Sequence, residues 1–385
     1  MLWFRFLLSL CFAFSLAAPS TVFAEGKMPP HPIVLGQSCA LTGPAKDLGL
    51  EMRGGLLAAF SKVNDEGGVN GREIRLLSRD DGYEPDLAMR NTRELITRDH
   101  VLMLIGEVGT PTSKAVAPII EKYRIPFFAP FTGADLLREP FSRYVINVRA
   151  SYFQEMERLA SYLIEKKKIT RIACFYQNDS YGFAGLRGIE IALEKRGMRL
   201  VSTGSYERNT VAVMGGLKEI YKAEPEAVIL VGAYAACAEF IKLSKTKVSP
   251  DLLFCSISFV GTESLMETLG GYGRNVIVSQ VLPRPHDLTI PLVREYQAAM
   301  RQYQHDVPLS FTSFEGYIAG KLFARIALDV RGVLTREKFI DTMERVGTFD
   351  LGGLVLQFGP SDHQGLDAIY LTRIFPEIEE LKDNE

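Results

Sequence analysis

Residues 40–85 read ALTGPAKDLGLEMRGGLLAAFSKVNDEGGVNGREIRLLSRDDGYEP. The stretch follows an apolar run at 33–36 that suits a buried strand. Leu41-Thr42-Gly43-Pro44 then leads into a helical pattern over 47–65, whose free backbone N–H groups at its start favour a ligand. Gly67-Gly68 stops that helix, and Asn70-Gly71 supplies the positive backbone angles of a tight turn into a second strand at 74–78. Strand, helix and strand in this order form the repeating unit of an α/β fold.

The alternation continues along the chain. Strands are expected at 33–36, 74–78, 102–106, 126–129, 171–176, 200–205, 227–232, 252–256 and 276–279. Helices are expected at 47–65, 85–99, 112–123, 153–168, 182–197, 211–223, 234–246, 262–269, 288–304 and 312–331. Continuously apolar runs suit strands buried on both faces, and the helices between them supply the crossovers that parallel strands require. Residues 31–147 and 148–282 each hold four or five such units, so two similar doubly wound, Rossmann-like lobes in series are the simplest architecture.

The first 24 residues place Arg5 before an apolar run at 6–18 and end in Val22-Phe23-Ala24, the pattern of an export signal cleaved near Ala24. The run is shorter than the about 20 residues of a membrane span. Leu10 before Cys11 is not the small residue of a lipid-anchoring signal. The mature protein is therefore expected to be soluble and periplasmic. A formal net charge of −2 argues against a nucleic-acid partner. Cys39, Cys174, Cys237 and Cys255 form no CxxC pair and read as buried free thiols. The histidines lack metal-ligand spacing, so neither a metal nor a cofactor is expected.

Open α/β sheets bind ligands outside the carboxyl ends of their strands. In the first half these loops, 38–45, 107–113 and 130–134, are small and polar. Thr110, Pro111, Thr112 and Ser113 open a helix whose N–H groups and dipole suit a carboxylate, and Thr132-Gly133 repeats the arrangement. In the second half Tyr181 and Tyr234 follow strands, where each could wall an apolar pocket and donate a hydroxyl hydrogen bond. Catalytic patterns are missing: there is no GxGxxG after the first strand, no GxSxG and no HExxH. GYIAGK at 316–321 reads as small residues on a helix packing face, and Asp80-Asp81 as turn chemistry. The chain is not expected to be an enzyme.

LTGP with its helix, GGVNGREIRL, RDDGYEP, IGEVGTPTS, IPFFAPFTGA and YQNDSYG, in this order and spacing, resemble the type I periplasmic solute-binding proteins of ABC transporters, in the leucine/isoleucine/valine-binding group. The resemblance spans nearly the whole mature chain. It implies two lobes joined by three hinge crossovers, near 147–150, 282–285 and 358–360. Lobe 1 would take 25–147 and 284–357, and lobe 2 would take 148–283 and 358–385. The implied function is capture of a small polar or carboxylate-bearing solute, an amino acid or a related small organic acid or amide, between the lobes. A monomer would deliver it to ABC permease subunits. A ligand-sensing module that presents its solute to a membrane signalling receptor is the alternative.

Carried over residue by residue, the resemblance places Thr110 at the ligand carboxylate, with Thr112 beside it in the same helix start. Phe131 supplies a backbone carbonyl, Thr132 and Gly133 supply donors, and Tyr181 and Tyr234 are the second-lobe aromatics. Ser258 stands where amino-acid binders of the group place a glutamate for the ligand ammonium, and Leu48 where they place a first-lobe aromatic. A buried ammonium without a carboxylate is costly. Unless Glu107 or another acid compensates, the expected ligand is a small carboxylate or amide. The positions of a disulfide in some relatives hold Tyr83 and Gly109.

Overall fold

A computed structural model describes residues 31–382. The export signal expected at 1–24, with Cys11, lies outside the described residues. The first sheet is built from β1 (Ile33–Cys39), α1 (Lys46–Asp65), β2 (Ile74–Asp80), α2 (Pro85–Thr97), β3 (Leu104–Ile105), α3 (Thr110–Tyr123), β4 (Phe127–Phe128) and β5 (Val145–Ile146). Its strands are all parallel, in the order β2-β1-β3-β4-β5.

The second sheet begins after α4 (Tyr152–Ser161), which continues into a wider turn at Tyr162–Lys166. Then follow β6 (Ile172–Gln177), α5 (Ser180–Glu194), β7 (Ser202–Tyr206), α6 (Met214–Tyr221), β8 (Ala227–Val231), α7 (Tyr234–Lys247), β9 (Leu253–Ser256), α8 (Thr262–Leu269) and β10 (Val276–Gln280). The strands from β7 to β10 are parallel and ordered β7-β6-β8-β9-β10, the same winding as the first sheet. In such a winding the order reverses between the first and third strands, and the crevice opens there. In this chain it lies between β1 and β3 and between β6 and β8.

After β10 the chain returns. α9 (Pro291–Tyr303), α10 (Phe311–Leu328) and α11 (Arg336–Val346) come next, and α9 and α10 pack on α1. A small ribbon of β11 (Thr348–Asp350) and β12 (Val355–Gln357) follows. β13 (Tyr370–Arg373) then adds antiparallel to β10, and β14 (Glu379–Glu380) caps the edge. The segments that run between the sheets touch one another: Asn147 N–H donates to His363 O at 2.8 Å, and Gly365 N–H to Asn147 O at 2.8 Å.

All nine expected strands and ten expected helices are present, with shifted ends. The sequence reading lacks β5, β11 to β14 and α11. These strands are two to four residues long, too short for periodicity to register. α1 and α10 meet backbone to backbone, because a Cβ at Gly55 would lie 1.9 Å from Ser313 O and one at Gly316 would lie 2.3 Å from Met52 O. GYIAGK is thus a packing face. Asp80 and Asp81 make turn bonds: Asp80 accepts from Leu41 N–H and Gly82 N–H, and Asp81 from Ser38 Oγ and Tyr83 N–H. Cys39, Cys174, Cys237 and Cys255 are buried free thiols.

Candidate functional site

The loops at the two crevices face each other and are shut together. Asn209 Nδ2 donates to Gly82 O at 2.9 Å and to Glu84 at 2.7 Å, and Arg208 pairs with Glu84 at 2.7 Å. Tyr83, fully buried with φ 64°, carries its ring across to Phe259 at 6.2 Å and accepts from Gln177 Nε2 at 3.5 Å. Holding a bulky residue in the left-handed region is costly, and packing from both sides holds it here. The ring also covers Gly109, where a Cβ would fall 2.2 Å from Tyr83 Cε2.

Inside this seal lies a group of buried hydroxyls. Thr110, at the start of α3, and Thr132, after β4, are 2.7 Å apart through their hydroxyls. The Tyr152 hydroxyl faces both and finds no hydrogen-bond partner among the described residues. Burial raises its pKa, and the Arg149 charge, then the two threonines, pull the other way. Gly133 makes room for Tyr152, whose ring would meet a Cβ there at 2.5 Å.

The second wall is aromatic. Phe259, in a short turn after β9, packs tilted at 4.5 Å against Tyr181 and at 5.4 Å against Phe131, and Tyr181 lies 5.6 Å from Tyr152. Rings at these spacings and tilts bury large area and pack favourably. Asp179 caps the helix that starts at Ser180, accepting from Tyr181 N–H at 3.0 Å, which fixes where the Tyr181 ring projects.

At the inner end of the cleft stands Arg149, fully buried in the segment that leaves the first sheet. Its guanidinium lies 4.5 Å over the Phe131 ring, donates to Ser258 Oγ and approaches Glu315 at 3.6 Å. Burial works against its charge, yet Glu315 and Glu155 hold its pKa above the ordinary value. Glu155 accepts from Ser258 N–H at 2.8 Å, Ser258 Oγ at 3.0 Å and Ser279 Oγ at 2.7 Å. Burial raises Glu315 to about 7, although Arg149 opposes the shift.

Of the residues singled out from sequence, the structure gathers Thr110, Phe131, Thr132, Gly133, Tyr181 and Ser258 around Tyr152, Phe259 and Arg149. Leu48 and Tyr234 meet at one margin, both beside Gly261. Thr112 turns back, donating to Val108 O at 2.7 Å and Gly109 O at 3.0 Å. Glu107 faces Thr92 at 3.4 Å, and burial with the nearby Asp81 raises its pKa strongly. Sequence reading passed over Arg149, Tyr152, Phe259, Glu155 and Glu315. The one available signal was Arg149, a charge inside the apolar run Tyr144 to Ala150 at an expected crossover.

Residues 32–377 match the model of the family described as periplasmic binding protein. The chain belongs to that family. A possible leucine/isoleucine/valine-binding protein from Rhodopirellula baltica is 36% identical, with a TM-score of 0.88 over 93% of this chain and 98% of that one. A substrate-binding periplasmic protein from Ralstonia solanacearum is 26% identical, with a TM-score of 0.86 over 91% and 100% of the two chains. The Leu/Ile/Val-binding protein homolog 7 of Brucella suis is 25% identical and covers 85% of this chain and 83% of its own. This periplasmic binding protein is thus a two-lobed solute-binding receptor, and its family is one of exported proteins. Among the described residues no helix is long and apolar enough to cross a membrane.

Proposed function

We propose that the protein captures a small carboxylate-bearing or amide solute between its lobes and delivers it to ABC permease subunits. It acts as a periplasmic monomer freed of its signal near Ala24, binds no nucleic acid and catalyses no reaction. Lobe 1 takes 25–147 and 284–357, and lobe 2 takes 148–283 and 358–385. That assignment is supported by the packing of α9 and α10 on α1 and by the place of β13 in the second sheet.

The observation that carries the reading is that Tyr152 joins two buried groups, the Thr110 and Thr132 hydroxyls, 2.7 Å apart, and the Tyr181 ring, 5.6 Å from its own and 4.5 Å from Phe259. Hydroxyls suit a carboxylate or amide head, and the rings suit an apolar body. Thr110, Phe131, Thr132, Gly133, Tyr181 and Ser258 line that cleft, with Leu48 and Tyr234 at its rim. Relatives named for leucine, isoleucine and valine support a small solute that carries a carboxylate. Closure then works as a hinge: contacts that the solute makes only in the shut form shift the lobes toward it.

The test replaces Thr110 by Ala and Tyr181 by Phe together. Calorimetry with the solute that co-purifies with the natively exported protein should show binding weakened by about tenfold or more, as expected for lost hydrogen bonds, while the thermal transition stays cooperative. Unchanged affinity would mean that the solute binds elsewhere.

A further inference from the structure

The innermost part of the cleft holds charged groups that the folded chain leaves unsatisfied. Arg149 Nη1 and Nε find no hydrogen-bond partner among the described residues, although the side chain is fully buried. Buried N–H groups on a cation are costly to leave unpaired. They border a void of about 10 Å³, the size of a single water, together with Phe131, Ser258, Gln280, Phe311 and Glu315, so a ligand carboxylate would reach them only by displacing Glu315. Gln280 Oε1 is likewise without a partner among the described residues, while its amide nitrogen donates to Thr262 and Thr372.

We propose that Arg149 anchors the solute's carboxylate and takes the place that a ligand ammonium would fill, so that the solute is an organic acid without an α-amino group. This rests on the reading above that the solute sits between the lobes. The position of Ser258, where an ammonium would look for a partner, is already engaged by the Arg149 guanidinium. A second cation brought there would meet like charge at short range in a poorly screened interior. Glu155 cannot readily turn to it, since its oxygens are held by three donors from Ser258 and Ser279.

Arg149 itself keeps donors to spare. Its only contact with Glu315 is long, at 3.6 Å. A guanidinium presents its N–H groups as a planar fork that matches a carboxylate, so two donors can meet one ligand head. An incoming carboxylate would compete with Glu315 for the same cation. Burial holds the Glu315 pKa up at about 7 while Arg149 opposes the shift, so losing that cation to the solute would let Glu315 take up a proton.

The experiment uses ligand-stripped full-length mature protein and two pairs of probes that differ in the amine: leucine with 4-methylpentanoate, and phenylalanine with 3-phenylpropanoate. The amides of both deaminated acids serve as uncharged controls. At least one deaminated acid should bind about tenfold or more tighter than its amino acid, with proton uptake read from the buffer dependence of the binding enthalpy. Arg149→Gln should weaken the acid by about thirtyfold and the amide by less than about threefold. Glu315→Gln, nearly isosteric, should tighten the acid severalfold and abolish the proton uptake, which keeps the test open if Arg149→Gln does not fold.

Tighter binding of either amino acid than of its deaminated partner would overturn the proposal, because Glu315 would then be taking the ammonium. Equal response of acid and amide to Arg149→Gln, or to Glu315→Gln, would overturn it too, as would failure of every probe to bind. The Thr110→Ala/Tyr181→Phe protein separates the two levels. If it loses acid and amide alike while Arg149 proves indifferent, the cleft stands and only the anchor falls. If it loses neither, the cleft itself is misplaced.

Discussion

Glu51, on α1 of the first sheet's layer, accepts a 3.0 Å hydrogen bond from Ser264, on α8 against the second sheet. Ser310 Oγ donates to the same carboxyl at 2.5 Å. Its neighbour Glu263 accepts from Phe311 N–H at 3.2 Å, and its other oxygen has no partner among the described residues. Two acids from opposite sides of the cleft are therefore buried together when the lobes shut.

The first prediction concerns pH. Burial raises Glu51 to about 7, eased by Ser310 and Ser264 and aggravated by Asp47. Burial, then the charge of Glu51, raises Glu263 to about 8. Tyr296 also faces the pair, and Thr312 faces Glu51. Acids whose pKa is higher when shut stabilise the shut form below those values and cease to do so as pH rises through about 7 to 8. Solute affinity and thermal stability should therefore fall between pH 6 and 8.5. Glu263→Gln should flatten the slope and add about 1–3 kcal/mol at pH 8, the cost of an unsatisfied buried group. A pH-independent affinity in the wild type contradicts this.

A second prediction concerns the seam between α1 and α10. Gly55→Ala would drive a methyl into Ser313 O at 1.9 Å. Because backbone cannot yield as a side chain can, the loss should reach about 3 kcal/mol, the upper end of ordinary overpacking. Chemical denaturation measures it. A loss below about 1 kcal/mol would mean that the helices separate easily.

Phe259 supplies a third. Its ring touches Tyr83 and Phe131 from one side and Tyr181 from its own. Phe259→Ala removes contacts that exist only between shut lobes, so it should lower solute affinity by more than tenfold. The thermal transition should fall less than a fully buried core Phe→Ala, about 3–5 kcal/mol, would imply. Small-angle scattering of the solute-bound variant should show a larger radius than the wild type; an unchanged radius and affinity would remove Phe259 from the closure.

The thiols offer a fourth. Cys39, Cys174, Cys237 and Cys255 are buried and free, and burial raises the pKa of each. An aromatic disulfide reagent should leave them untouched in the native protein and modify them only in denaturant, with no effect of reductant on the melting temperature. Rapid native labelling would contradict the packing.

The fold was legible because helix and strand periods differ and because the turns carry Gly67-Gly68 and Asn70-Gly71, which lie at positive φ. The loop residues Thr110, Thr132 and Tyr181 could be singled out as candidates for the same reason, since each follows a strand end. Arg149, Glu155 and Glu315 could not. They lie on a connecting segment and two helices whose patterns treat them as ordinary charges, and only the return of α10 to α1 brings Glu315 to Arg149. Phe259 was equally hidden, because an aromatic in an apolar stretch reads as core. Which faces meet across two lobes is a long-range fact that no local period contains.

In the proposed mode of action a small acid is held between closing lobes. Mass spectrometry of the protein purified natively from the exported fraction, released in denaturant and compared with a buffer blank, tests that most directly. The expected result is a stoichiometric small carboxylate without an α-amino group, whose return to the stripped protein raises the melting temperature. Recovery of leucine, isoleucine or valine in its place would contradict it.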